Sequence, residues 1–195
     1  PIINIDEDKN NIEINRFVNL RLFRNVSYLR YAGNIHESVR HADSELRISI
    51  EKKYLEIYHT GYSSQRVKEK TKRNLKLLQE DIAKNGEGLQ HYRYLMDCYQ
   101  GLGEYEKAIK YAKMHLAENI SSIGSESDIY RNIINCMVFL KKDPEEIRPY
   151  IEKAIQLFPN LPDFYAYFAA NFLRQGKDIE AKKYLLDSLT VYEQL

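Results

Sequence analysis

The stretch Gly103-Glu104-Tyr105-Glu106-Lys107-Ala108-Ile109-Lys110-Tyr111-Ala112 decides the fold. A turn glycine precedes an amphipathic helix whose small residue, Ala108, faces a neighbouring helix. Just upstream, Tyr92, Leu95, Met96 and Tyr99 recur at i, i+3, i+4 and i+7, the stripe of a buried helix face. Together the two segments predict a helix-turn-helix unit. A second copy ends the chain: Tyr165, Phe168, Ala169 and Phe172, then Gly176 and Ala181, with Pro159 and Pro162 as helix stop and start. Between them Ile134, Val138, Ile147, Ile151, Ala154 and Pro159 take the same places, although Lys141-Lys142-Asp143-Pro144 replaces the glycine turn. Ile147 and Ala181 lie 34 residues apart and Ala108 and Ile147 lie 39 apart, which assigns about five extra residues to the loop from Asn119 to Ser127.

Tyr92, Leu95, Tyr99, Gly103, Tyr105 and Ala108 resemble the tetratricopeptide repeat, a helix-turn-helix unit of 34 residues. Three such units give six helices. Ser64 to Lys84 reads as one more, with Val67, Thr71, Leu75, Leu78 and Ile82 on one face, placed to cover the first repeat. Stacking stabilises these units, because a single helix pair cannot bury its own apolar face. The positions that usually face the inner groove fall on Gln90, Arg93, Asp97, Asn132, Phe139, Ala166 and Leu173. Such a mixed polar and aromatic surface suits an extended peptide or a glycan acceptor; packing or plain solvation is the alternative.

Residues 1–63 follow a different period. Val18, Leu20 and Leu22 alternate with Asn19, Arg21 and Phe23, Ile48 and Ile50 are two apart, and Tyr54 to Tyr58 alternates again, which predicts strands. Three or four short strands with so many polar residues make a poor independent core. The expectation is a mainly α protein: a strand-containing segment over 1–63, then a helical repeat superhelix over 64–195.

Composition sets limits. Hydrophobic residues are 44% and charged residues 29% of the 195, as in an ordered globular chain. No apolar run approaches the roughly 20 residues a bilayer span needs, and no signal-like segment appears, so a cytoplasmic protein without a membrane span is expected. A net charge of +1 argues against a nucleic-acid binder. The basic run Arg66, Lys68, Lys70, Lys72, Arg73 and Lys76 spreads around its helix and reads as a solvated surface. Cys98 and Cys136 sit in helical patterns as buried small hydrophobes. The 16 tyrosines, with no tryptophan, mostly fill core positions of the repeats. The chain opens on Pro1, compatible with initiator removal or with a piece of a longer protein.

No complete set of catalytic motifs occurs. His36-Glu37-Ser38-Val39-Arg40-His41 fails as a zinc-protease helix, because its histidines are five apart instead of four. Glycine-rich phosphate loops, nucleophile elbows and paired-cysteine metal sites are all missing. Even so, Arg21-Leu22-Phe23-Arg24-Asn25 and Tyr28-Leu29-Arg30-Tyr31-Ala32-Gly33-Asn34-Ile35-His36-Glu37 resemble the closing segment of the catalytic domain of bacterial family 2 glycosyltransferases. Ile57-Tyr58-His59-Thr60-Gly61-Tyr62 and Lys70-Thr71-Lys72-Arg73-Asn74-Leu75-Lys76-Leu77-Leu78 are similar to the linker between that domain and tetratricopeptide repeats.

The resemblance implies a GT-A fold, of which residues 1–63 would be an α+β remnant. It also implies a nucleotide diphosphate sugar donor, a glycan or protein acceptor, and a divalent ion, Mg or Mn, in the full-length enzyme. The nucleotide-binding half with its Asp-x-Asp-type motif is not in this sequence, so the chain alone is expected to be inactive and to hold no cofactor. Within that reading His36 would contact the donor diphosphate or its metal, and Glu37 would orient His36 or take an acceptor proton. Arg21 and Arg24 would hold phosphate oxygens. The plainer alternatives are a hydrogen-bonded His36–Glu37 pair at a strand end, two outward-facing arginines, and a turn-shaping His59. The rival function is a non-catalytic adaptor that binds a peptide in the concave groove of the repeats.

Overall fold

A computed structural model describes residues 2–6, 9–18, 20, 22–32, 38–49, 56–60, 64–118 and 126–195. They form two compact units, Pro1–Glu87 and Gly88–Leu195.

In the first unit β1 (Ile2–Asp6) pairs antiparallel with β2 (Ile12–Phe17), joined through Asn10 and Asn11 at φ 55° and 58°. Asparagine tolerates that left-handed backbone better than most residues. On its other edge β1 pairs in parallel with β5 (Ile57–His59), giving the order β2-β1-β5. Successive residues of a strand point to opposite faces, and Ile2, Ile3 and Asn4 are all buried, so the central strand is covered on both sides. Asn4 is satisfied there: its Nδ2 donates to Asn15 Oδ1 at 2.6 Å, which leaves its Oδ1 to accept from His59 Nδ1 at 3.1 Å. His59 is therefore a strand residue tied to the central strand, not a turn residue. A separate two-stranded sheet pairs β3 (Leu29–Ala32) with β4 (Ser38–His41).

The strands fall mostly elsewhere than the sequence alternation predicts. Val18, Leu20 and Leu22 lie outside any strand, and Ile48 is in an exposed loop, while Tyr58 is in β5. Ile50 and Tyr54 lie outside the described residues. The helix Ser64–Asn85, α1, forms as expected and closes the first unit, with Leu78 buried and Val67, Thr71, Leu75 and Ile82 half-buried on one face. Its Lys68, Lys70, Lys72, Arg73 and Lys76 are exposed.

The second unit is three helical hairpins: α2 (Leu89–Gly101) with α3 (Tyr105–Ala117), α4 (Glu126–Phe139) with α5 (Pro144–Leu157), and α6 (Pro162–Leu173) with α7 (Asp178–Tyr192). Consecutive helices pack throughout, and α2 also packs directly on α4, so the first helices of the first two hairpins lie side by side. The core contains the predicted Leu95, Met96, Tyr99, Ile134, Phe168, Ala169 and Phe172, together with Ile133 and Met137, which the sequence reading did not name. Ala108, Ile147 and Ala181 are each 0% exposed where the second helix of a hairpin meets the first. Val138, read from the sequence as core, is exposed; Met137 takes the buried place. Cys98 and Cys136 are buried free thiols, and desolvation pushes each up to about 11.

All three hairpin turns have the same geometry. Gly103, Lys141 and Gly176 adopt φ 78°, 54° and 70°. Each donates its N–H three residues back, to Gln100, Val138 and Leu173, and the next residue donates five back, to Tyr99, Met137 and Phe172. This is the Schellman closure, in which a left-handed residue lets the chain satisfy the last carbonyls of a helix. The middle hairpin then starts α5 with a capping box: Asp143 accepts from the Glu145 N–H at 2.8 Å, Glu146 accepts from the Asp143 N–H, and Pro144 occupies the first helical position. α3 and α7 begin two residues after their glycine, whereas α5 begins three after Lys141. One of the extra residues assigned to the loop before α4 thus belongs to this turn.

No described helix is long and apolar enough to cross a membrane.

Candidate functional site

A row of charges runs across the first helices of the three hairpins. The Arg93 guanidinium on α2 reaches Asp128 on α4 at 3.2 Å. One turn further along α4, Arg131 donates to the other oxygen of Asp128 at 2.8 Å, to Ser127 Oγ at 3.0 Å, and across to Asp163 at the start of α6. The spacing follows from the helix: residues three apart lie on one face, so Asp128 and Arg131 can bridge both to each other and to the neighbouring helices. The Arg131 guanidinium also lies over the Phe164 ring at 5.2 Å, and its hydrogen bond to Asp163 raises its pKa further. These side chains keep water access, with Arg131 29% and Asp163 37% exposed.

Asp97 sits one turn beyond Arg93 on the same face of α2. Its carboxylate is accessible, yet enough protein surrounds it that desolvation pushes it up to about 6; Arg93 opposes that rise and Asp128 adds to it. His115 on α3 is lowered by desolvation and by Arg93, and its Nδ1 is buried without a hydrogen-bond partner among the described residues.

Of the residues predicted for the groove, Arg93 and Asp97 belong to this charged face and Gln90 is exposed one turn before Arg93. Asn132 does not line a groove. It is 4% exposed, donates to Gln100 Oε1 at 2.6 Å and accepts from the Cys136 thiol, which ties α4 to α2. Phe139 is exposed but stacks on Tyr105 at 5.0 Å, at the turn end of the hairpins. Leu173 is exposed and Ala166 half-buried on α6. Sequence reasoning passed over Asp128, Arg131 and Asp163. Counting back from Gly103, Lys141 and Gly176 would have placed Asp128 and Asp163 opposite Gln90, and Arg131 opposite Arg93; Lys141 gave no glycine to count from.

In the first unit, Arg24 is exposed and lines an open cleft of about 910 Å3 with Leu22, Phe23, Tyr28, His41 and Arg47 among others. His41 Nδ1 accepts from the backbone N–H groups of Asp43 and Ser44, both at 3.0 Å, and its ring packs on Tyr28 at 4.8 Å. His36 and Glu37, between β3 and β4, and Arg21 lie outside the described residues. Among the described residues no group of three or more His, Cys, Asp or Glu side chains is placed to hold a metal ion.

No protein-family model and no curated protein matches the chain. Solved structures do. The structure titled "MamA MSR-1 C2" superposes with a TM-score of 0.55 at 15% identity, over 69% of this chain and 79% of that one. "MamA 41-end from Desulfovibrio magneticus RS-1" gives 0.56 at 8% identity, over 68% and 77%. The fold is a tetratricopeptide-like helical repeat. At such identities the likeness concerns architecture alone.

Proposed function

We propose that the chain is a protein-binding repeat adaptor that receives an extended, charged segment of a partner along α2, α4 and α6. The observation that carries this reading is the continuous row Arg93, Asp128, Arg131 and Asp163. Its members come from three hairpins, are held in place by one another, and stay open to water. Side chains already fixed by mutual ion pairs lose little further freedom when a partner exchanges for one of them. Repeat stacks with such a shared face suit extended ligands. Two buried thiols are at home in a reducing, cytoplasmic setting.

The test is selection of peptides from a displayed random library on the full chain, followed by affinity measurements on charge-reversed variants. Arg93→Glu and Arg131→Glu are each expected to weaken the selected peptides at least about tenfold, a loss of about 1.4 kcal/mol. Circular dichroism checks that each variant folds. Undiminished binding by two folded variants would remove the charged face as the site.

The glycosyltransferase reading of residues 1–63, with its nucleotide-sugar donor and divalent ion, rests on the sequence resemblance alone. Calorimetric titration of a nucleotide diphosphate with manganese tests the fragment reading. Both readings expect weak or no binding by this chain, and tight binding would show that the fragment reading is wrong.

A further inference from the structure

Among the described residues β2 is an edge strand, with β1 as its neighbour on one side and no strand on the other. Such an edge offers unpaired backbone groups to another strand, and proteins usually blunt it with lysine, proline or a covering element. Here Ile12, Ile14 and Phe17 are 60%, 48% and 41% exposed, and the strand contains neither lysine nor proline. A bulge shapes what this edge presents. Glu13 lies opposite Ile5 and Arg16 opposite Ile3, while Ile12 lies opposite Asp6 and Phe17 opposite Ile2. Residues two or four apart on β1 share a face, so Glu13 and Arg16 share one face of the sheet and Ile12 and Phe17 the other. From either end, β2 therefore reads apolar, charged, centre, charged, apolar, with the two charges opposite in sign.

We infer that β2 pairs antiparallel with β2 of a second copy, about a two-fold axis between Ile14 and Asn15, so that two sheets become one. In that register Ile12 faces Phe17 of the second copy and Glu13 faces its Arg16, each contact occurring twice. A slip that set Glu13 or Arg16 opposite itself would bring like charges together. Within one copy Arg16 bonds Glu13 at 3.0 Å and Glu56 at 2.7 Å, and both Glu13 and Arg16 stay nearly half exposed. Each arginine can thus keep Glu56 and exchange its own Glu13 for that of the second copy. A strand from elsewhere in the chain would need an acid to set against Arg16. Of the described strands, β3, β4 and β5 carry none, and β1, which has Asp6, is already paired on both edges. The charged row on the repeats plays no part in this pairing.

Sedimentation of the full chain over a range of concentrations is expected to show a dimer, and two charge variants test which surface makes it. Glu13→Arg and Arg16→Glu each set like charges across the axis, and each is expected to dimerise at least about tenfold more weakly than the wild type. An equimolar mixture of the two restores opposite charges and is expected to form a heterodimer within about threefold of the wild-type affinity. That rescue cannot arise within a copy, because each variant carries like charges along its own strand. Ile12→Cys and Phe17→Cys, which leave both charges in place, test the register even where a charge variant fails to fold by circular dichroism. Their mixture is expected to form a disulfide between copies on air oxidation. Neither is expected to do so alone, since like positions would lie five residues, roughly 16 Å, apart across the axis, beyond disulfide reach. The native Cys98 and Cys136 are buried and do not compete. A monomeric wild type, as a strand of the same copy lying on β2 would give, overturns the assignment. So does dimerisation unchanged in both folded charge variants, absence of rescue in their mixture, or a cross-link in either cysteine variant alone.

Discussion

Asp97 and His115 face Arg93 from two helices and titrate in opposite senses. A carboxyl ordinarily near 3.9 that is pushed up to about 6 keeps its proton in the folded state after the unfolded chain has lost it. Folding stability therefore falls as pH rises from about 4 to 6 on account of Asp97. The imidazole is held below its ordinary value of about 6.5, so its contribution rises as pH climbs through that value. Asp97→Asn removes the first effect and leaves the second. The variant should match the wild type in acid and gain progressively above pH 4, by no more than about 1 kcal/mol, since Asp97 remains accessible to water. Urea unfolding at pH 4 and pH 8 checks this; a difference that does not change with pH would contradict it. None of this was legible in the sequence. An aspartate on a polar helix face looks the same whether the next hairpin brings it an arginine, an aspartate or only water.

At the scale of elements, the three hairpin turns differ in one chemical respect. Gly103 and Gly176 take the left-handed backbone without penalty, and a Cβ built there would touch nothing within 4 Å, so glycine is present for its conformation and not for space. Lys141 takes the same backbone with a Cβ. Lys141→Gly should stabilise the domain by about 1 kcal/mol, and Gly176→Ala should destabilise it by a similar amount. Both are measurable as shifts of the urea midpoint at unchanged slope. The same residue explains which elements could be read in advance. The helices declare themselves through apolar residues every three to four positions, which hold even where the glycine is missing. What suffers is register: without a glycine at 141, Val138 looked buried and Asn132 looked like groove. The strands failed for another reason. β2 is exposed along its whole length and β1 buries Ile2, Ile3 and Asn4 in succession, so pairing between distant segments defines them, not alternation within either.

Across the molecule, equivalent positions meet unequal fates. Ala112 on α3 is 0% exposed and Ile151 on α5 is 1% exposed, covered as each hairpin meets the next. Leu185, their counterpart on α7, is 51% exposed, and Leu186, Leu189 and Tyr192 extend the stripe. An exposed apolar stripe of this kind invites association. Leu185→Lys with Leu189→Glu should therefore raise the solubility limit and reduce concentration-dependent association in sedimentation, with the thermal midpoint little changed. Unaltered association would mean that this stripe is not what brings molecules together. The stripe also has a use in construction. Since α7 already offers the surface that α3 and α5 use to hold the next hairpin, a fourth unit copied from Pro162–Leu195 should graft onto it in register. The charged row could then be lengthened without redesigning the junctions between repeats.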